Sequence, residues 1–196
     1  MSWNSKSPGI PDEYFLREEE VPITKEEVRS IIISKLRLKE NDSVIDIGCG
    51  SGSITVELCL QCQKGKVFGV DLDFQAVNLT KKNLEKFKVD AEIRLGNAMD
   101  ILESLPAVDA IVIGGTTGKT QELIDQSIHK LNHGGRLVIT TILIETMFKA
   151  MKTVNESNFL KEIDFTQIII SKGRTTKTGT MLLARNPVLI ISATKI

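Results

Sequence analysis

The feature that most constrains the fold of this chain is a glycine-rich turn that joins an apolar strand to a helix. The residues Val44-Ile45-Asp46-Ile47 predict a short buried strand, and Gly48-Cys49-Gly50-Ser51-Gly52 follows it directly. Glycine tolerates a positive φ and lets a ligand approach the main chain closely. The turn opens onto a helix N-terminus, where free N–H groups attract negative charge. The segment therefore predicts a ligand-binding turn at the carboxyl end of a strand.

Strands and helices are expected to alternate along the rest of the chain. After the first strand, further strands are expected at 66–70, 91–95, 108–113 and 136–141, and helices at 54–62, 74–87, 121–131 and 145–154. Two late strands, near 164–171 and 187–193, have no helix between them, and residues 172–180 predict an exposed loop. This order predicts an α/β fold, a Rossmann-like doubly wound sheet of seven strands that is mostly parallel, with an antiparallel hairpin at its edge.

The N-terminal segment differs from the rest in composition. Residues 1–23 are polar and interrupted by three prolines, so they predict an extended arm, and residues 24–196 are expected to form the α/β domain. Thr24 stands three residues before Glu27, which is the spacing of a capping box and predicts that a helix begins there. Val28, Ile32 and Leu36 give that helix an apolar face at helical spacing.

Charge and composition exclude several classes of protein. Lys and Arg number 25, as do Asp and Glu, so the formal net charge of zero disfavours a strongly basic nucleic-acid binder. Three cysteines fit a reducing compartment better than a secreted disulfide framework. The first residues lack the apolar run of a signal peptide, and no apolar stretch approaches the roughly 20 residues that cross a bilayer. We therefore expect a cytoplasmic protein without a membrane or nucleic-acid partner.

An acidic residue follows the second predicted strand, at a spacing from the glycine turn that is typical of nucleoside-binding folds. Asp71 lies 19 residues beyond Gly52, where its carboxylate can accept hydrogen bonds from both hydroxyls of a ribose. This context indicates a nucleoside cofactor. Ser53 stands where a dinucleotide fingerprint has its third glycine, and the nearby carboxylate of Asp46 disfavours a pyrophosphate but favours an ammonium group. Both observations favour S-adenosylmethionine over a dinucleotide.

At these residues the chain resembles the class I S-adenosylmethionine-dependent methyltransferases, and further segments narrow the resemblance. It is similar to the decarboxylating cobalt-precorrin C15-methyltransferases of cobalamin biosynthesis and to the C-terminal half of the fused precorrin-6Y methyltransferases, from about residue 9 to 193. The segments that carry this resemblance are 9–15, 24–29, 46–53, Ile113-Gly114-Gly115, Gly134-Gly135-Arg136-Leu137-Val138, Glu145-Thr146 and Asn186-Pro187-Val188.

The resemblance implies methyl transfer to carbon 15 of a tetrapyrrole, loss of carbon dioxide from the acetate on ring C, and a homotetramer. The cofactor contacts that it implies are Thr24, Gly48, Cys49, Gly50, Ser51, Gly52, Asp71 and Ala98. Asn97 stands where many methyltransferases have an acid that binds the adenine amino group, a task that an amide carbonyl can also perform. No catalytic base is marked; Glu145, which also suits the start of a helix, is a candidate for handling protons. Neither Cys59-Leu60-Gln61-Cys62 nor the two histidines predict a metal site.

A tetrapyrrole substrate carries many carboxylates, so its site is expected to present cations. The candidates are Arg17, Lys119, Lys172, Arg174 and Lys177, among which the two arginines can bind a carboxylate bidentately. Two alternatives stay open at this point. One is a class I RNA methyltransferase of the transfer-RNA adenine-N1 type, against which the zero net charge and 5% aromatic content weigh. The other is a non-catalytic cofactor-binding subunit of another methyltransferase.

Overall fold

In the computed structural model, which describes residues 3, 5 and 7–196, helices and strands alternate as the sequence predicts. The helices are α1 (Glu26–Leu36), α2 (Ser53–Gln61), α3 (Phe74–Phe87), α4 (Ala98–Ser104), α5 (Thr120–Lys130) and α6 (Ile144–Glu156). The strands are β1 (Val44–Ile47), β2 (Val67–Asp71), β3 (Glu92–Leu95), β4 (Val108–Ile113), β5 (Leu131–Thr141), β6 (Leu160–Ile168), β7 (Ser171–Thr176), β8 (Gly179–Ala184) and β9 (Val188–Lys195).

Seven of the strands form one sheet in the order β3-β2-β1-β4-β5-β9-β6. Strands β1 to β5 are parallel, and β9 runs antiparallel to both of its neighbours. Helices α1 to α3 pack on one face of this sheet and α4 to α6 on the other, each over its own apolar core. The predicted fold class, a Rossmann-like doubly wound α/β sheet, is confirmed.

Strand β1 lies at the point where the strand order reverses, because β2 and β4 flank it on opposite sides. Ile47, its last residue, pairs with Val70 of β2 and with Ile113 of β4. All four residues of β1 are buried, as a central parallel strand requires. The carboxyl ends of these three strands therefore open onto one crevice, which is the usual ligand site of such sheets.

The C-terminal hairpin differs in part from the prediction. The antiparallel pairing of the two late strands at one edge of the sheet is confirmed, with β6 as the edge strand and β9 between β6 and β5. The loop expected at 172–180 is wrong: β7 and β8 pair there as a separate two-stranded ribbon that turns at Lys177 and Thr178, and Gly179, whose φ is +150°, begins β8. The threonines of this segment favour extended backbone, and that preference outweighs the loop signal of its glycines and lysines.

The N-terminal end of α1 also departs from the prediction. The helix begins at Glu26, and its N-cap is Lys25, which makes no side-chain capping bond, so the capping box of Thr24 and Glu27 is wrong. The Thr24 carbonyl accepts a hydrogen bond from the guanidinium of Arg29, and the Glu27 carboxylate lies 2.6 Å from Lys172 Nζ. A tertiary partner, Lys172, therefore engages the Glu27 carboxylate that a capping box would use.

The described residues before α1, which include a short 3-10 helix at Asp12–Tyr14, pack against the rest of the fold. Ile10 and Phe15 are buried in the core under α1 and α2. The Glu57 carboxylate accepts hydrogen bonds from the main-chain N–H groups of Gly9 and Ile10 at 2.9 and 3.0 Å, and from Arg29 Nε at 2.9 Å. Among the described residues, no helix combines the length and the apolar character that crossing a membrane demands.

Candidate active site

The turn after β1 contains three glycines whose backbone conformation other residues adopt only at a cost. Gly48, Gly50 and Gly52 have φ values of +75°, +55° and +75°. A Cβ on Gly48 would lie 3.1 Å from the main-chain nitrogen of Gly115, so the turns after β1 and β4 pack main chain against main chain. A Cβ on Gly52 would lie 2.9 Å from the Cα of Thr80, which explains how α2 approaches α3 so closely.

Asp71 ends β2 beside this turn, and its carboxylate is held from two directions. Oδ2 accepts a hydrogen bond from the Gly50 N–H at 2.8 Å, and Oδ1 accepts one from the Asp73 N–H at 3.0 Å. A carboxylate oxygen offers more than one lone pair, so each oxygen can accept a further hydrogen bond. The side chain is therefore oriented in advance and still has acceptor capacity towards the crevice.

A cleft of about 300 Å³ lies between the carboxyl ends of β1, β2 and β4. Its walls include Gly48 and Gly50, Asp71, the segment Gly96-Asn97-Ala98-Met99 and the turn that begins at Gly114. Helix α4, for which no range was predicted, begins at Ala98. Asn97 caps it, because its Oδ1 accepts a hydrogen bond from the Met99 N–H at 3.0 Å. The amide carbonyl that was expected to bind adenine therefore already has one partner.

A second cavity, of about 570 Å³, adjoins this cleft. Gly48, Gly50, Gly114 and Pro22 line both, so the two spaces meet at the glycine turn. The second cavity is also lined by Thr24, Lys25, Cys49, Ser51, Thr140, Thr141, Ile142, Arg185 and Asn186. The sheet thus presents one continuous hollow with a narrower part beside Asp71 and a wider part beneath the N-terminal arm.

Most of the predicted cofactor residues line this hollow. Asp71 and Ala98 line the cleft, Thr24, Cys49 and Ser51 line the second cavity, and Gly48 and Gly50 line both. Gly52 lines neither, since its Cα faces Thr80 of α3.

Asp46 lies beneath the turn and is fully buried. Its Oδ2 accepts a hydrogen bond from Thr55 Oγ1 at 2.6 Å, whereas Oδ1 has no hydrogen-bond partner among the described residues. Burial raises the pKa of this carboxyl group to about 7; the hydrogen bond from Thr55 opposes the shift, and the charge of Asp71 adds to it. Asp46 lines neither cavity, so its ionised form would act on the hollow through charge and not through direct contact.

The predicted substrate cations are distributed unevenly around the hollow. Lys119 lines the cleft, and Arg17 lies in a shallow depression beside Pro22. Lys172 lies 2.6 Å from both Glu26 and Glu27, while Arg174 and Lys177 are exposed on the ribbon of β7 and β8, away from both cavities.

Arg185, which sequence reasoning missed, lines the second cavity. A signal was available, because it directly precedes the segment Asn186-Pro187-Val188 that contributes to the family resemblance.

Three other residues lie away from the hollow. Glu145 is exposed in the first turn of α6 and lines neither cavity, so its position suits the start of a helix. Cys59 and Cys62 are buried at the far end of α2, and burial raises the pKa of each thiol to about 12. Such thiols are not reactive near neutral pH.

Comparison with known proteins places this geometry in context. The chain matches the precorrin methyltransferase domain family over residues 14–195. It is 47% identical, over the full length of both chains, to a probable cobalt-precorrin-6B C(15)-methyltransferase (decarboxylating) of Saccharolobus solfataricus. A crystal structure of precorrin 8W decarboxylase from Methanobacterium thermoautotrophicum matches with a TM-score of 0.88 and 34% identity, over 94% of this chain and 98% of that one. A precorrin-6y C5,15-methyltransferase from Geobacter metallireducens gives a TM-score of 0.89 and 29% identity, over 96% and 99%.

Proposed function

Because the chain belongs to the precorrin methyltransferase family, we propose that it transfers a methyl group from S-adenosylmethionine to carbon 15 of a cobalt-precorrin and releases the ring C acetate as carbon dioxide. The observation that carries the cofactor assignment is the position of Asp71. Its carboxylate is fixed by two main-chain N–H groups beside a turn of glycines, and it keeps acceptor capacity for two ribose hydroxyls.

The remaining cofactor contacts follow from the lining of the hollow. The turn residues Gly48 and Gly50 let the cofactor lie against the main chain, and Ala98 faces the nucleoside part of the cleft. Thr24 and Ser51 line the wider part, where the methionine end would lie. The two cavities together, about 300 and 570 Å³, leave room for a cofactor and for part of a large substrate.

The charge beneath the turn supports a sulfonium cofactor over a dinucleotide. In its ionised form, the Asp46 carboxylate places a negative charge under Gly48 in a region from which water is excluded. A pyrophosphate on the same turn would be repelled, whereas the ammonium group of a methionine would be attracted.

When bound, S-adenosylmethionine supplies an electrophilic methyl group, and this chain's residues position the acceptor carbon and exclude water. Methyl transfer depends mainly on in-line placement, which rigid walls such as the packed turns at Gly48 and Gly115 provide. Decarboxylation leaves an electron pair that the conjugated tetrapyrrole accepts. A strong base is therefore not required for either bond change.

Two further expectations stay predictions, the homotetramer and the cytoplasmic location. An assembly would account for the exposed apolar side chains of Leu143, Ile144 and Phe148 around the start of α6. Light scattering of the purified protein across a range of concentrations tests the homotetramer.

Calorimetry with S-adenosylmethionine, followed by anaerobic turnover of cobalt-precorrin-6B, tests the proposed function. We expect cofactor binding, a methylated and decarboxylated product, and released carbon dioxide detected by mass spectrometry. Asp71→Asn is expected to weaken cofactor binding, and Asp100→Asn, on the exposed side of α4, serves as the matched control. Binding without turnover would favour the non-catalytic subunit, and methylation of transfer RNA would contradict the tetrapyrrole assignment.

A further inference from the structure

Arg185 has a main chain that is fixed in place and a side chain that reaches the wider cavity. It stands between β8 and β9, and its N–H donates a hydrogen bond to the Ile170 carbonyl at 2.9 Å, which closes the base of the ribbon. The side chain lines the same cavity as Gly48, Gly50 and Ile142. Arg185 therefore stands at the wall of the cavity that adjoins the cofactor cleft.

The guanidinium of Arg185 lacks a full set of partners. Its Nη1 is buried and has no hydrogen-bond partner among the described residues. Asp12 Oδ2 lies 3.9 Å away, which is beyond hydrogen-bond distance. A buried N–H of a charged group without an acceptor is costly, so this atom favours the binding of an acceptor from outside the chain.

The nearby acids are already engaged by other cations. Asp12 Oδ1 accepts a hydrogen bond from Arg29 Nη1 at 2.8 Å, and Lys25 Nζ lies 3.6 Å from Asp12 Oδ2. The carboxylates of Glu26 and Glu27 each lie 2.6 Å from Lys172 Nζ. Arg185 therefore shares the charge of Asp12 with two other cations and has Glu27 nearby, but its Nη1 makes no hydrogen bond to either carboxylate.

Like charges crowd the same side of the cavity. Burial is the largest cause that lowers the pKa of Lys25; the charge of Asp12 opposes it, and the charges of Arg17 and Arg185 lower it further. Lys25 and Arg185 line one cavity, with Arg17 just outside it. An anion that enters here would relieve this repulsion, and a carboxylate would match the planar guanidinium.

We propose that Arg185 binds a peripheral carboxylate of the tetrapyrrole and holds its ring over the glycine turn, an inference that rests on the proposed function. Gly48, Gly50 and Ile142 line the same cavity and offer main chain and an apolar side chain to the body of the ring. The carboxylate is one that stays on the product, because a guanidinium stabilises carboxylate charge and would oppose loss of carbon dioxide from the group that it binds.

Anaerobic steady-state kinetics of three variants test this assignment. Arg185→Gln is expected to raise KM for cobalt-precorrin-6B about 10- to 100-fold, with kcat and the Kd for S-adenosylmethionine within about twofold of wild type. Arg185→Lys keeps the positive charge near Asp12 but not the planar guanidinium. Its melting temperature should therefore match that of wild type, while its KM stays raised. Arg37→Gln, whose exposed side chain pairs with Glu162, is the control and should leave KM unchanged.

The possible outcomes separate this inference from the proposed function. If wild type turns over and Arg185→Gln keeps a wild-type KM, Arg185 does not bind substrate. If Arg185→Lys restores KM and melting temperature together, the residue acts only through its ion pairs, and the inference is also overturned. If wild type binds the cofactor but does not turn over cobalt-precorrin-6B, the proposed function fails, and the inference falls with it.

Discussion

Replacing Asp46 by Asn should make the protein progressively more stable than wild type as the pH rises. Burial raises the pKa of this carboxyl group from an ordinary 3.8 to about 7 in the folded state. Between these values the folded protein holds a proton that the unfolded chain has released. The stability that this proton provides is fully present below the unfolded pKa and is lost as pH rises through the folded pKa.

The expected size follows from the two pKa values. Relative to a side chain that does not titrate, wild type should lose about 2.5 kcal/mol of its free energy of unfolding between about pH 5 and about pH 8. Asn resembles the protonated carboxyl group in shape, and it keeps an acceptor for the hydroxyl of Thr55. The replacement therefore removes the titration while preserving the hydrogen bond.

Urea denaturation of wild type and Asp46→Asn at four pH values across this range measures the effect. The difference between the two free energies should grow with pH, whereas titration elsewhere in the chain affects both proteins alike and cancels. Asp109→Asn, at a half-buried site near the opposite end of the sheet, tests whether any loss of a carboxylate gives the same trend. A wild-type-to-variant difference that stays constant from acid to alkaline pH would refute the reasoning.

Three further predictions concern the cleft and the arm. Asp71→Ala should weaken S-adenosylmethionine binding by about 1.5–3 kcal/mol in calorimetry, because charged hydrogen bonds are lost; an unchanged Kd would contradict the ribose assignment. Gly52→Ala should lower the free energy of unfolding by at least about 1–2 kcal/mol, since φ is +75° and the new Cβ would meet Thr80, and thermal melts measure it. Arg29→Met should cost about 3–5 kcal/mol in urea denaturation by leaving the carboxylate of Glu57 buried and uncompensated; a loss below about 1 kcal/mol would argue against a structural role for this pair.

Features that depend on residues close together in the sequence were predicted correctly from the sequence alone. The strand at Val44–Ile47 and the helix at Phe74–Phe87 lie where they were predicted, because strand and helix periods are local properties of the apolar pattern. The position of Asp71 beside the glycine turn follows equally, since two parallel strands joined by one helix bring their carboxyl ends together.

Assignments that depended on distant partners were less accurate. Lys172 was expected to meet substrate, but it binds Glu26 and Glu27, which are almost 150 positions away in the chain. Arg185 was not predicted because its local sequence does not show that it lines the second cavity, although it directly precedes a segment that contributes to the family resemblance. A loop was predicted at 172–180 because pairing across a turn cannot be read from composition alone.

The amino-acid sequence by itself determined the alternation of strands and helices, the glycine turn with its acid, and the resemblance to a family, because these depend on backbone freedom and on spacing along the chain. Only the tertiary structure decided which charged side chains face the hollow and which form ion pairs within the protein. It did so because packing brings together side chains that are far apart in the chain, and each buried charge then requires a partner.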